Sequence, residues 1–485
     1  MIPELKPYPV MKDSRVECLG RVPEHWRVEQ LGRSGRFFKG NGGTKEDEVA
    51  RGVPCVRYGD LYTRHRFFIE ETKSYVSEDR VADYTPIQYG DVLFAASGET
   101  IEEIGKSAVN LLRQPACCGG DVVVFRPSAP VNAMFLGLAS DCPQAAYQKS
   151  RMGRGITVMH VYGDELKYLW VAFPPLSEQA AIARYLDYVD RRVRKLVRAK
   201  RKLIALLNEQ KQAIIHRAVT RGLDPDVPLK DSGVEWLGEV PEHWSVRQLG
   251  RIGVLFKGNG GTKDDEVPEG IPCIRYGDLY NQYESLIDGT RSCVSKDRAS
   301  DYTAIQRGDV LFAGSGETIE EIGKSAVNLL AEPACCGGDV IVFRPTIPAN
   351  ARFLGYSTDS PYAVHQKSRM GRGITVMHLY AMQLKYLRIA LPPVQEQAAI
   401  VEYLGDITVR INAGIEHANR EVELLKEYRT RLVAGVVTGK LDVREAVSAL
   451  PEVDPLTTEE ESDEAVRDDE EYLDDSDDTP KEPHE

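Results

Sequence analysis

The sequence predicts an α+β protein made of two similar mixed α/β domains and two long helices that pair as an antiparallel coiled coil. Three observations support this fold class. Short sequence motifs recur at an offset of 218 residues. The first part of each copy is rich in short β-like runs, and each copy ends in a long stretch with helical periodicity. The internal tandem repeat is therefore the organising feature of the chain.

The repeat shows in words that align without a gap. VPEHW occupies residues 22–26 and 240–244, and PPLSEQAAIARYL at 174–186 corresponds to PPVQEQAAIVEYL at 392–404. Between residues 83–112 and 301–330, 27 of 30 positions are identical. One window departs from this pattern, because residues 63–68 (TRHRFF) and 281–286 (NQYESL) share none of their six positions.

The first part of each copy predicts a compact domain with much strand. Runs such as DVLFAAS, SAVNLL and DVVVFRP are separated by closely spaced Gly and Pro. The second part follows the Pro-Pro pairs at 174–175 and 392–393. We therefore divide the chain into a first domain (1–173), a central helix (174–222), a second domain (223–391), a C-terminal helix (392–440) and an acidic tail (441–485).

The helical stretches carry apolar residues at steps of three and four. In the first stretch the series includes Val189, Val193, Leu196 and Leu203. This narrow seam is typical of a coiled coil, so we expect the two helices to pack on each other. The alternative is two amphipathic helices, each packed separately on its own domain.

The net charge of −13 arises in the tail. Residues 451–485 hold 17 Asp or Glu and 2 Lys or Arg, which leaves 59 Lys or Arg against 57 Asp or Glu in residues 1–450. An acidic segment almost without aromatic residues predicts disorder. A near-neutral body can bind DNA if its cations cluster on one face. The chain shows neither a signal peptide nor an apolar run long enough to cross a bilayer, so we expect a cytoplasmic protein without membrane contact.

Motifs of catalysis and metal binding are not indicated. The nine cysteines include adjacent pairs at 117–118 and 335–336 but no CxxC spacing, so we expect reduced, buried thiols at a turn before a strand. The run GETIEEIGKS at 98–107 has six residues between its glycines where a P-loop needs four, and it predicts a strand–turn–strand with an exposed Lys106. No methyltransferase motif is present, and His25 and His160 sit beside apolar or aromatic neighbours. We therefore expect no catalytic residue, no metal and no cofactor.

Two segments carry residue types that suit DNA. The run KGNGGTK at 39–45 combines glycines, which permit close backbone approach, with Asn, Thr and Lys for base edges or phosphates. The run QKSRMGRG at 148–155 packs three cations and two glycines into eight residues, and Arg-Tyr at 57–58 adds a contact. Ordinary surface turns explain these runs equally well. The predicted DNA-binding residues of both copies are Lys39, Asn41, Thr44, Lys45, Arg57, Tyr58, Lys149, Arg151, Arg154, Lys257, Asn259, Thr262, Lys263, Arg275, Tyr276, Lys367, Arg369 and Arg372.

Three features, taken together, match one known family. They are SGVEWLGEVPEHW at 232–244 with a diverged copy at 14–26, GDVL at 90–93 followed by IGK at 104–106, and PPLSEQAAI at 174–182 ahead of a long helix. In these features the chain resembles the specificity (S) subunit of type I restriction–modification systems. The similarity covers about residues 12–445 and holds in both copies of the repeat.

The resemblance implies two target recognition domains joined by two antiparallel helices. Each domain would bind one half of a split double-stranded DNA site, and the helices would fix the gap between the halves. It also implies that two methyltransferase (M) subunits dock on the chain, that restriction (R) subunits join for cleavage, and that the chain itself is not an enzyme. The acidic tail is not part of the family pattern. Two alternatives stay open: a stand-alone DNA-modifying or DNA-cleaving enzyme, and a coiled-coil adaptor without DNA contact.

The closeness of the copies predicts a symmetry in the DNA. Near-identical domains on antiparallel helices would bind the same bases on opposite strands, in an interrupted, nearly palindromic site. The divergent window at 63–68 and 281–286 is the exception. If that window touches bases the half-sites differ, and if it is only surface they agree.

Overall fold

The computed structural model describes residues 5–43, 47–98, 100–101, 103–155, 158–261, 265–316, 318–319, 322–373 and 376–451. The chain forms two compact units. Unit 1 comprises Met1–Ala199 and Glu421–Glu485, and unit 2 comprises Lys200–Arg420. Each long helix therefore contributes residues to both units.

Unit 1 begins with short strands, and the first of its two chain segments ends in a long helix. Its strands are β1 (Met11–Asp13), β2 (Arg21–Pro23), β3 (Arg27–Gln30), β4 (Gly35–Lys39), β5 (Glu48–Val49), β6 (Val53–Val56), β7 (Phe67–Ile69), β8 (Tyr75–Val76), β9 (Thr85–Ile87), β10 (Val92–Ala95), β11 (Ser97–Gly98), β12 (Ser107–Asn110), β13 (Ala116–Cys118), β14 (Val122–Pro127), β15 (Met159–His160) and β16 (Trp170–Phe173). Its helices are α1 (Leu31–Ser34), α2 (Tyr58–Thr63), a 3-10 helix (Val81–Asp83), α3 (Ala133–Asp141), α4 (Pro143–Ser150), α5 (Gly163–Leu166) and the start of α6 (Leu176–Arg221).

Two five-stranded sheets form the body of unit 1. Their strand orders are β4-β14-β10-β12-β7 and β5-β8-β6-β13-β9. The pairs β12–β7 and β13–β6 are parallel, whereas β10 pairs antiparallel with both β12 and β14. Strands β11 and β15 form a separate antiparallel pair in which Ser97 lies opposite His160.

The first sheet is covered on both faces, as its sequence requires. In β10, Val92 and Phe94 belong to one buried cluster with Phe135 of α3, whereas Leu93 and Ala95 belong to a second cluster with residues of the other sheet. Successive side chains of a strand point to opposite faces, so a run of four apolar residues indicates a strand buried on both sides. The layers are therefore helix, sheet and sheet.

Unit 2 contains the corresponding elements in the same order. Its strands are β17 (Leu229–Asp231), β18 (Glu239–Pro241), β19 (Ser245–Gln248), β20 (Gly253–Lys257), β21 (Glu266–Val267), β22 (Ile271–Ile274), β23 (Leu286–Ile287), β24 (Cys293–Val294), β25 (Thr303–Ile305), β26 (Val310–Ala313), β27 (Ser315–Gly316), β28 (Ser325–Asn328), β29 (Ala334–Cys336), β30 (Val340–Pro345), β31 (Met377–His378) and β32 (Arg388–Leu391). Its helices are α7 (Leu249–Ile252), α8 (Tyr276–Asn281), a 3-10 helix (Ala299–Asp301), α9 (Ala351–Thr358), α10 (Pro361–Met370), α11 (Ala381–Leu384) and the start of α12 (Val394–Val437). Its five-stranded sheets have the orders β20-β30-β26-β28-β23 and β21-β24-β22-β29-β25.

The two long helices pair within each unit. In unit 1, Val193 of α6 and Val422 and Val436 of α12 belong to one buried cluster. In unit 2, Lys211 Nζ lies 2.9 Å from Asn412 Oδ1, and Leu207 Cδ1 would lie 3.6 Å from a Cβ atom added to Gly414. As the α6 residue number rises the α12 number falls, so the helices are antiparallel in unit 2. Helices α6 (Leu176–Arg221) and α12 (Val394–Val437) lie within the predicted stretches 174–222 and 392–440.

The predicted seam is wrong at two leucines. Leu196 and Leu203 are 47% and 42% exposed, whereas Val197 is buried. The seam moves from Val193 to Val197, a step of four rather than three. A helix with 3.6 residues per turn turns Leu196 away from the partner at this point.

The folded chain also extends further than predicted. The tail was expected to begin at 441, but Val443 is fully buried and α13 (Arg444–Ser448) follows it. Asp442 N donates to Lys6 O at 2.8 Å, so this segment packs on the N-terminal residues of unit 1. The rest of the predicted disordered tail, from 452 onward, lies outside the described residues.

Within the described ranges, no helix combines the length and the apolar character that a membrane span requires.

Candidate nucleic-acid interface

The glycine loop that follows β4 is fixed by backbone contacts and leaves Asn41 exposed. Gly40 has no space for a side chain, because an added Cβ would lie 2.2 Å from Gly119 O. Asn41 N donates to Thr85 Oγ1 at 2.8 Å, and Asn41 O accepts from Thr85 N at 3.1 Å. The backbone of Asn41 is thus held, while its amide side chain is exposed.

The same loop contacts the Cys-Cys-Gly-Gly segment. An added Cβ on Gly120 would lie 3.3 Å from Gly42 O, and in unit 2 Gly338 N donates to Gly260 O at 3.0 Å. The glycines of both segments therefore serve close packing of two backbones. The two pairs of adjacent cysteines, at 117–118 and 335–336, are buried within β13 and β29. They were predicted at a turn before a strand. The predicted residues Thr44, Lys45, Thr262 and Lys263 lie outside the described residues.

The Arg-Tyr pair divides into one buried and one exposed partner. Arg57 is 17% exposed and lies 3.5 Å from Glu48, and Arg275 is equally buried and lies 2.6 Å from Glu266. Tyr58 and Tyr276, by contrast, are 44% and 45% exposed. The arginines therefore brace the domain, and the tyrosines at the start of α2 and α8 present aromatic surface.

Two of the predicted DNA contacts are wrong. Lys149 is 1% exposed, and its Nζ donates to Asp141 Oδ1 at 2.6 Å and to Ser140 O at 3.1 Å. Lys367 is fully buried, with its Nζ 2.6 Å from Gly323 O. Burial lowers the pKa of Lys367 to about 8. Both lysines lie on the inner face of a helix, α4 or α10, and hold the domain core together.

The preceding glutamine is structural as well. Gln148 Oε1 accepts from Trp170 N at 2.9 Å and its Nε2 donates to Trp170 O at 3.1 Å, which joins α4 to β16. Gln366 makes the same two bonds to Arg388. Neither glutamine is free to contact a base.

The arginines of the same segment are exposed. Arg151 lies over the Tyr147 ring at 5.9 Å. Arg154 N donates to His160 O at 2.9 Å, and His160 N donates to Arg154 O at 2.8 Å. The backbone of Arg154 is therefore fixed, while its side chain is 76% exposed. In unit 2, Arg372 and His378 form the same backbone pair, and Arg369 lies over the Trp236 ring at 5.6 Å.

A cleft of about 530 Å³ in unit 1 is lined by Lys39 of the first predicted segment, whereas residues 148–155 of the second segment are not part of its lining. Lys39, at the end of β4, and His160, the backbone partner of Arg154, both line it. Its other polar residues are Ser97, Asp121, Tyr162, Asp164 and Lys167, and Lys167 Nζ pairs with Asp164 at 3.0 Å. Sequence reasoning missed Tyr162 and Lys167. Their signal was weak, because α5 is one turn long and lies about 120 residues from Lys39 in sequence.

The chemistry of this surface is that of binding. Lys39 and Arg154 offer ammonium and guanidinium donors for phosphate oxygens, and the half-exposed Tyr162 offers an aromatic face. Ser97 Oγ lies 3.0 Å from His160 Nδ1, but the two residues are cross-strand partners of β11 and β15. Their contact therefore follows from strand pairing. Lys106 is half-buried, and its Nζ bonds Tyr62 O at 2.6 Å instead of facing solvent.

Comparison with known proteins points to one family. Residues 241–424 match the family model for the type I restriction modification DNA specificity domain. The type I restriction enzyme MjaVIII specificity subunit of Methanocaldococcus jannaschii is 23% identical over 433 residues, which cover 87% of this chain and 95% of that protein. The EcoKI specificity subunit of Escherichia coli is 23% identical over 208 residues, 42% of this chain and 44% of that protein.

A solved structure has a similar fold. A chain from a study of complex assembly and conformational transition of the type I restriction–modification system superposes with a TM-score of 0.65 at 19% identity, covering 87% of this chain and 99% of that chain. The sequence similarity to the MjaVIII subunit and the structural similarity to this solved chain both extend over most of the chain. Along most of its length the chain is thus similar to specificity subunits of type I restriction–modification systems, and residues 241–424 match the DNA specificity domain of that family.

Proposed function

We propose that the chain selects the DNA site of a type I restriction–modification complex, and that each recognition domain binds one half of a bipartite site. The observation that carries this proposal is that Lys39 lines a cleft together with His160, whose backbone pairs with that of the exposed Arg154. The segment at 39–45 therefore reaches this cleft directly, and the segment at 148–155 is joined to it through the backbone pair of Arg154 and His160. Exposed cations on a fixed backbone are what phosphate contacts require.

The proposal includes two methyltransferase subunits as partners, with restriction subunits joining for cleavage. The similar solved chain comes from a study of type I complex assembly, which supports a partner-dependent role for this fold. The bases would be selected by this chain and the chemistry performed by its partners. In this role the chain acts in the cytoplasm, where the DNA is.

We further propose that the two half-sites are nearly the same sequence on opposite strands. The exposed candidates Asn41, Tyr58 and Arg154 have identical counterparts in Asn259, Tyr276 and Arg372. The helices would set the number of base pairs between the halves. Equal side chains on equal backbones favour equal base preferences.

The test is DNA binding by the assembled complex of this chain with its methyltransferase partner. Arg154→Ala and Arg372→Ala should each weaken binding by about 1–3 kcal/mol if a base contact is lost, or reduce the slope of log K against log salt by about 1 if a phosphate contact is lost. The matched control is Arg431→Ala, because Arg431 lies on α12, is 79% exposed and is not among the residues that line the cleft. Unchanged binding by both variants would place the DNA face elsewhere.

The same assay separates the two alternatives. Absence of salt-dependent DNA binding, even with the partner present, would indicate an adaptor. Methyl transfer or cleavage by the purified chain alone would indicate a stand-alone enzyme.

A further inference from the structure

The divergent window contacts the long helices. Residues 63–68 lead from α2 into β7, and residues 281–286 lead from α8 into β23. We call these six-residue stretches the joint segments. Phe67 and Leu286 anchor them in the cores of units 1 and 2. Their charged residues reach the helix pair of the same unit, and they do so differently in the two copies.

In unit 2 the joint segment supplies the counter-ion of a buried lysine. Lys211 of α6 is 3% exposed, and its Nζ lies 2.6 Å from Glu284 Oε1. Asn412 of α12 accepts a second bond from the same ammonium at 2.9 Å. The buried ammonium needs a carboxylate, because an unpaired charge in this environment is strongly unfavourable. Glu284 therefore connects the recognition domain to both helices.

In unit 1 the helices neutralise their own buried cation. Arg429 of α12 occupies the position that corresponds to Lys211, is 11% exposed and pairs with Asp190 of α6. The residue that corresponds to Glu284 is Arg66, and its guanidinium donates to Thr430 Oγ1 at 3.2 Å. The charge on the domain side is therefore reversed between the copies. An acid is needed from the domain in unit 2 but not in unit 1.

We propose that the joint segments are pairing determinants, which attach each recognition domain to its own helix pair and take no part in base selection. Glu284 makes unit 2 selective, because a domain that carries arginine at this position would set two cations together at Lys211. Only unit 2 is selective, because in unit 1 the carboxylate of Asp190 already pairs with Arg429.

Single charge changes test the proposal better than exchange of whole segments, which would also move Phe67 out of its core. Glu284→Arg in the full chain should lower the Tm by at least about 5 °C and raise hydrogen exchange in peptides around 211 and 284. Arg66→Glu is the matched control and should shift the Tm by less than about 2 °C. The asymmetry between these variants is the expected result.

Two double variants distinguish charge pairing from loss of packing. Lys211→Met/Glu284→Arg and Lys211→Glu/Glu284→Arg should each recover most of the lost Tm, since the buried ammonium is removed or reversed. No recovery in either would overturn the proposal, and so would equal effects of Glu284→Arg and Arg66→Glu.

Base selection is tested separately. Arg66→Glu should leave the methylated DNA sequence unchanged in a host that carries the methyltransferase partner. A changed base in one half-site would show that the joint segment contacts DNA. The methylation result tests only whether the joint segment contacts DNA. The Tm measurements test its pairing with the helices, and they remain informative even if the chain has another function.

Discussion

Trp26 Nε1 donates a hydrogen bond to Glu178 Oε1 at 2.9 Å. This bond connects the VPEHW word to the PPLSEQ word, which lie about 150 residues apart. His25 Nε2 lies 2.8 Å from the other carboxylate oxygen, and Tyr8 OH also bonds Glu178. Trp244, His243 and Glu396 repeat the arrangement in unit 2 at 3.1 and 2.8 Å. The VPEHW and PPLSEQ motifs thus form one polar anchor, and a corresponding anchor occurs in unit 2. Each anchor fixes the first turn of a long helix to its domain.

Glu178→Ala should destabilise unit 1 by about 2–4 kcal/mol, because the buried Trp26 indole and Tyr8 hydroxyl would both lose their acceptor. Glu396→Ala is the natural comparison. Glu396 is 31% exposed against 6% for Glu178, so its loss should have a smaller effect, of about 1 kcal/mol. Urea unfolding of the full chain measures both. A larger effect for Glu396→Ala would contradict the account of the anchor.

Lys149→Met should destabilise the fold without weakening DNA contact. Removal of the ammonium leaves the Asp141 carboxylate without its buried partner, at a cost of about 2–4 kcal/mol. Asp141→Asn/Lys149→Met removes both charges and should recover part of that loss. The salt dependence of DNA binding should keep the wild-type slope in the double variant. A slope reduced by about 1 would restore Lys149 as a phosphate contact.

Acid should destabilise unit 1 through His65. Burial lowers the pKa of His65 to about 4, although the neighbouring Asp60 opposes the shift. The unfolded state, with a histidine pKa of about 6.5, binds more protons than the folded state between these values, so stability falls as the pH falls. Between pH 7 and pH 5 the expected loss is about 2 kcal/mol.

His65→Gln provides the control for this effect. The variant should show a smaller difference in unfolding free energy between pH 7 and pH 5, by about 2 kcal/mol. Unit 2 has Tyr283 at the corresponding position. An unchanged pH dependence in His65→Gln would mean that other groups govern the acid response.

Periodicity predicted the long helices well because both obey a simple spacing rule. The bounds of α6 and α12 agree with the unbroken helical stretches, and Gly405 and Gly414 do not interrupt α12. Buried strands such as β10 and β14 were recognisable from runs of β-branched and aromatic residues. These features depend on neighbours in sequence, so local patterns suffice to predict them.

The site was harder to predict because burial depends on distant residues. The run at 148–155 looked like a cationic turn, but its first residues complete α4, and the helix turns Lys149 inward toward Asp141. Counting charges cannot distinguish that lysine from Arg154, which lies beyond the helix and is exposed. The role of the divergent window was also hidden, because Glu284 and Lys211 are 73 residues apart in sequence.

The most direct measurement is methylome sequencing of a host that carries this chain with its methyltransferase partner, compared with the same host without the chain. The account predicts one interrupted motif whose two halves are nearly identical on opposite strands, and which disappears with the chain. Two unrelated half-sites would contradict the symmetry. Methylation that persists without the chain would contradict its role as the specificity subunit.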